Sequence, residues 1–140
     1  MHQLLEPRGL GSPSTAEPLL AIRLRGGQDA PSCARQALGA VETQLADRCE
    51  DISLLVSELV TNAVVHAKAE AIRLLVRSGR AREDIRVEVT APGARWELPA
   101  KPLPGPLGGF GFFFLDQLAK DWGVASEEGE TRVWFEMAPQ

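Results

Sequence analysis

The chain has 140 residues, 44% of them hydrophobic and 24% charged, the size of one ordinary domain with enough apolar side chain to bury a core. A net charge of −4, without a lysine or arginine cluster, argues against a nucleic-acid partner. No signal-peptide core and no long apolar run occurs, so the sequence predicts a soluble, cytoplasmic protein with no membrane partner.

Residues 1–18 carry Pro7, Pro13 and Pro18 among glycines and serines and are expected to form a flexible tail, leaving 19–140 as the domain. Leu19 to Arg25 alternates as a first strand, ended by Gly26-Gly27. Asp29 is read as the N-cap of a helix running from Ala30 to Ala46, with Pro31 in its first turn and Ala34, Ala37, Leu38, Val41 and Leu45 on one stripe. A second helix is predicted from between Arg48 and Asp51 to about Ala67. Cys33 and Cys49 lie too far apart for a C-x-x-C motif and read as reduced, partly buried helix residues. A functional metal would therefore be an oxygen-bound ion that arrives with a ligand.

Ala71 to Arg77 and Asp84 to Thr90 read as an antiparallel hairpin turning through Ser78-Gly79-Arg80. In its second strand Ile85, Val87 and Val89 face inward, and Arg86, Glu88 and Thr90 outward. Arg73, Arg77, Arg80 and Arg82, surrounded by Glu70, Glu83 and Asp84, read as a solvated strand edge and turn. Residues 92–109 are rich in proline and glycine without a period, the pattern of an irregular loop. A third helix is predicted from Phe110 to Trp122, then strands near Val124 to Glu127 and Thr131 to Met137. The order β-α-α-β-β-loop-α-β-β predicts an α+β fold, a two-layer sandwich with about three helices on one face of a mainly antiparallel sheet.

Glu58, Asn62 and His66 stand at four-residue steps in the second helix, within a sector roughly 80° wide. Ile52, Leu55, Val56, Leu59, Val60, Ala63 and Ala67 form the adjoining stripe, and Leu54, Val64 and Val65 carry apolar character nearly all round. Such a helix is expected to be largely buried. A buried carboxylate, amide and imidazole need partners, because desolvating them alone costs several kcal/mol. Two readings stay open: neighbouring backbone groups satisfy the row, or it faces a ligand. Further on, Gly108-Gly109-Phe110-Gly111 opens directly into a helix. Glycines admit a close ligand, and first-turn N–H groups attract anions such as phosphate. A glycine-punctuated turn is the plainer account of that segment alone.

The order of these parts resembles the GHKL (histidine kinase-like) ATPase domain. The resemblance rests on Glu58-x-x-x-Asn62-x-x-x-His66, a hairpin, Gly109-Phe110-Gly111 opening a helix, and Gly129-x-Thr131 before a last strand. Within that family the chain is similar to the stand-alone bacterial anti-sigma-factor serine kinases of the RsbW/SpoIIAB type, over about residues 19–138. The resemblance implies a two-layer α/β sandwich holding ATP and Mg²⁺ between helices and loop. It makes Glu58 the general base for a partner's serine hydroxyl and gives Asn62 to Mg²⁺. It sets His66 at the phosphate end of the groove. Gly109, Phe110, Gly111 and Phe112 would cradle the triphosphate, and Thr131 would help hold the adenine. Residues 92–108 correspond to an ATP lid. The implied partners are a sigma factor and an anti-sigma antagonist of the STAS type, with a homodimer as the expected assembly.

One motif departs from the family. Where relatives read Asp-x-Gly-x-Gly at the end of the hairpin, this chain has Ala91-Pro92-Gly93-Ala94. Ala91 replaces the aspartate that accepts a hydrogen bond from the adenine amine, Gly93 is the one recognisable glycine, and strand alternation turns Thr90 away. Losing a charge-assisted hydrogen bond costs roughly 1.5–3 kcal/mol, one to two decades of affinity. Phe112, Phe113 and Phe114 also replace smaller aliphatics, and neighbours about 100° apart on a helix cannot all enter one core. Two readings follow: an ATP-dependent serine/threonine kinase acting in partner switching, or a non-catalytic regulator with weak or lost ATP binding.

Overall fold

Five strands, β1 (Leu20–Arg25), β2 (Ala71–Ser78), β3 (Ile85–Pro92), β4 (Asp121–Glu127) and β5 (Glu130–Met137), pair in the order β1-β2-β3-β5-β4. Every neighbouring pair is antiparallel. The structure, a computed structural model, describes residues 17–92 and 111–139, the side chains of the second segment from Phe114 onward. The helices are α1 (Ala30–Leu38), the single turn α2 (Glu42–Leu45), α3 (Cys49–Val65) and α4 (Gly111–Leu118).

Period-two alternation sorts the sheet into two faces. On the inner one, Val87 stands opposite Phe135 and Val89 opposite Val133, and these join Leu38, Leu55, Leu59 and Leu115 from the helices in one buried core. α3 is the central piece: Ile52, Leu55, Val56, Leu59, Val60 and Ala63 are all fully buried. Truncating one of these, Leu59→Ala for instance, removes packing worth about 2–5 kcal/mol.

The long first helix of the sequence reading is broken. α1 stops at Leu38, a 3₁₀ turn covers Gly39–Val41, and α2 ends where Ala46 takes a left-handed φ of 55°. The apolar spacing survives the break because a 3₁₀ turn serves an i, i+3 step as well as an α turn does, and Leu38, Val41 and Leu45 all stay buried. Asp29 gives no side-chain cap; its carbonyl accepts from Cys33 N–H at 2.9 Å instead. Cys33 is exposed and Cys49 half-buried, which corrects the first of the two cysteine expectations.

α4 is also shorter than predicted, and Trp122 belongs to β4. Tertiary pairing decides this: Lys120 N–H donates to Glu136 O at 2.8 Å, and Asp121 enters the ladder opposite Glu136. Trp122 Nε1 donates back to Asp116 Oδ1 at 2.8 Å, pinning the helix end to the strand. At the opposite corner Gly26 is required by space, since a Cβ there would meet the Ala69 carbonyl oxygen at 1.8 Å.

The outer face differs most from the sequence reading. Arg86 and Trp134 are each only 1% exposed, and Glu88 and Glu136 are buried beside them. Glu88 Oε2 accepts from Arg86 Nε at 2.8 Å and from Arg77 Nη2 at 3.1 Å. Glu136 Oε2 accepts from Arg86 Nη1 at 3.3 Å and from Arg80 N–H at 3.3 Å. The Arg86 guanidinium lies 4.2 Å over the Trp134 ring, within cation–π range. The expected solvated edge is therefore, at Arg77, part of a packed ionic network, and Arg86, expected only to face outward, is buried within it. Arg48 adds a second unpredicted anchor, donating to the carbonyls of Glu83 at 3.0 Å and Met137 at 3.1 Å.

Candidate functional site

α3, which touches both β3 and α4, carries the polar row. The row is graded rather than uniformly buried. Asn62 is 1% exposed, Glu58 is half-buried, and His66 is exposed. His66 falls outside the helix because α3 ends at Val65; its N–H closes the last turn on the Asn62 carbonyl at 2.9 Å.

Asn62 separates the two open readings. Its Nδ2 is buried and has no hydrogen-bond partner among the described residues, so no described neighbour satisfies that atom. An unpaired buried amide costs about 1–3 kcal/mol, and such a group calls for an explanation.

The strand end supplies a second piece. Ala91 on β3 is fully buried and stands opposite Thr131 on β5, itself buried. Thr131 Oγ1 lies 3.3 Å from Ser126 Oγ on β4, and Ser126 pairs with Thr131 in register. Ala91, Thr131 and Ser126 thus make one row across three strands, pointing to the same side as the valines of the core. Thr90 pairs with Arg73 and Arg132 in the registers of the opposite face, as the alternation predicts. Ser126 was missed by sequence reasoning, although its place two residues after Val124 in the same strand would have put it on the inner face.

Gly93, Gly109 and Phe110 lie outside the described residues, as does the segment expected to form an ATP lid, residues 92–108, apart from Pro92. Gly111 opens α4 and Phe112 lies in its first turn. Of the three phenylalanines, Phe114 is half-buried against the core.

Among the described residues no group of three or more His, Cys, Asp or Glu could hold a metal unaided, and no helix is long and apolar enough to cross a membrane. A hollow of about 570 Å³ exists on the outer face. It contains Thr90, Arg23, Arg73 and Glu88 but neither Glu58 nor Asn62, so it is distinct from the site on α3. At the edge of the core, Lys120 Nζ donates to Asp84 Oδ2 at 2.7 Å. That hydrogen bond, helped by the charges of Asp84, Glu136 and Glu83, raises the lysine above its ordinary value of 10.5.

A layered α+β sandwich carries the buried Asn62 on its central helix. The family model of the histidine kinase-like ATPase domain matches residues 29–137, from the start of the helical layer to the last strand, and the chain belongs to that family. Among solved structures, the RsbU and RsbW domains of Rv1364c from Mycobacterium tuberculosis are similar at a TM-score of 0.65 and 21% identity. The likeness covers 88% of this chain and 32% of that one, and at that identity it speaks for the fold. No curated protein matches the chain.

Proposed function

We propose that the protein binds Mg-ATP between α3, α4 and the strand row, and acts as an anti-sigma-factor-like serine/threonine kinase. In this reading it holds a sigma factor and phosphorylates a STAS-type antagonist, the two partners of a switch. The observation that carries it is the buried amide nitrogen of Asn62, without a partner among the described residues, one helical turn from the half-buried carboxylate of Glu58. The residues suit the group they would hold: Mg²⁺ prefers oxygen ligands and shares them with phosphate. A carboxamide can present its oxygen or its nitrogen to the same point by turning end for end.

Mg-ATP would supply the γ-phosphoryl group, with ADP as the leaving group. Glu58 would accept the proton of the acceptor serine as its oxygen attacks, which needs the carboxylate within hydrogen-bond reach of that hydroxyl. Asn62 would fix the ion, and first-turn amides of α4 at Gly111 and Phe112 would face the phosphates, with Gly109, Phe110 and Gly93 from the adjoining loop. His66 would stand at the phosphate end, exposed enough to meet a partner. A homodimer is part of the same reading.

Transfer of labelled phosphate from ATP to a STAS-type antagonist tests it. Glu58→Gln should slow transfer by about 10²-fold or more while leaving Mg-ATP binding in place; equal transfer by the variant would contradict the role. Ala91 favours a second reading, a non-catalytic regulator whose grip on ATP is weak or lost. Absence of binding at millimolar nucleotide, restored in part by Ala91→Asp, would select it.

A further inference from the structure

The two edge strands of the sheet differ. β4 is buried at Trp122, Gly123 and Ala125, whereas Ala21, Arg23 and Arg25 are exposed at alternate positions of β1. Gly26 N–H, continuing the register of β1 with β2, donates to Glu70 O at 2.8 Å. Hydrogen-bonded and non-bonded pairs alternate along an antiparallel ladder, so Leu20, Ile22 and Leu24 exchange their bonds with β2. Ala21, Arg23 and Arg25 turn their N–H and C=O groups to the open side, where no described residue meets them.

Hollows flank this edge on both sides. The 570 Å³ one on the outer face reaches Ala21 and Arg23, and one of about 380 Å³ lies towards the helices beside Leu24, Gly27, Ala30 and Cys33. The side chains of an added strand would alternate between them. Arg23 and Arg25 form no ion pair among the described residues, although Glu70 shares a third, smaller hollow with them. In the outer hollow Glu88 and Glu130 are already held by arginines, and Glu127 and Glu128 line it from the opposite edge of the sheet.

We infer that β1 is a docking edge for an extended segment of a partner protein, with carboxylates at alternate positions to meet Arg23 and Arg25. Small apolar residues between them would enter the hollow beside Ala30 and Cys33. Main-chain hydrogen bonds to Ala21, Arg23 and Arg25 supply affinity, and the two arginines supply selectivity. The inference does not depend on nucleotide binding, since Glu58, Asn62, Ala91 and Thr131 line none of these hollows.

Amide hydrogen exchange of the full chain, read by NMR, tests it with a capped synthetic peptide of about six residues, the usual strand length, alternating glutamate and valine. With the peptide at millimolar concentration, the amides of Ala21, Arg23 and Arg25 should become protected. Those of Ile22 and Leu24, already bonded to β2, should change little. N-methylation of one alternate set of peptide amides should weaken binding about three- to tenfold for each bond lost, and methylation of the other set should not. A lysine–valine peptide should bind more weakly, by a margin that shrinks as salt is raised. Ala21→Pro keeps both arginines and every bond to β2, because an edge strand tolerates proline where its N–H faces outward. It should fold, as circular dichroism would show, and bind the peptide about three- to tenfold more weakly. Protection of none of the three amides, equal binding of the lysine peptide, or indifference to both N-methylation sets would overturn the inference. Protection of the same amides without peptide, in a dimer seen by sedimentation, would also overturn it and assign the edge to a second copy.

Discussion

Buried polar groups occur on both sides of this sheet, and they have opposite relations to their surroundings. On the outer face Arg86 is enclosed, yet Glu88, Glu136 and the Trp134 ring meet its guanidinium. On the inner side Asn62 is enclosed to the same degree, and the described structure offers its amide nitrogen nothing. Burial alone therefore does not mark a functional residue. A buried polar atom left without a partner among the described residues calls for an explanation; Trp134 Nε1 on the outer face is another such atom, and Asn62 differs from it in standing one helical turn from Glu58.

The largest expected effect breaks the outer network. Glu88→Ala leaves the Arg86 charge without its closest acceptor in a buried setting, and such a change costs about 3–5 kcal/mol. Urea denaturation should show it as a lower midpoint at unchanged slope. A loss below about 1 kcal/mol, the scale of a surface pair, would erase the contrast drawn here.

A smaller effect of opposite sign is expected at Asn62. Asn62→Leu replaces an amide whose buried nitrogen has no partner among the described residues by an apolar side chain of similar reach, and should leave stability unchanged or raise it by about 1–2 kcal/mol. Lower stability in the same denaturation assay would mean that the carboxamide serves the fold.

Lys120–Asp84 is intermediate, with the ammonium half in water and the carboxylate buried. The folded lysine titrates above 10.5, so the pair's contribution is complete below that value and disappears as pH rises through the raised one. Stability measured across the alkaline range should fall more steeply for the unaltered protein than for Lys120→Met. Parallel curves would show that the pair contributes nothing.

Alternation was enough to read both hairpins, and the amphipathic spacing was enough to place α3 and its row, because these signals are local. The break after Leu38 was hidden because Val41 and Leu45 keep helical spacing through a 3₁₀ turn. Trp122 was read as helix because it falls at helical spacing from Leu115, Leu118 and Ala119, while the strand is imposed by β5. The outer network joins Arg86 to a glutamate 50 positions away, and nothing local to either residue announces the pair. At the candidate site, Glu58, Asn62, Ala91 and Thr131 were proposed from a family pattern. Ser126 was not, since a lone serine in a strand gains meaning only when register sets it beside Thr131.

The claim that Asn62 is unpaired for the sake of a ligand has a direct test in linked stability. The unaltered protein and Asn62→Leu would each be denatured with and without Mg-ATP. At a hundred times its dissociation constant a ligand adds about 2.7 kcal/mol. The account predicts a gain of that order in the unaltered protein and little or none in the variant, whose stability without ligand is at least as high. Equal gains in both proteins, or no gain in either with a less stable variant, would contradict it.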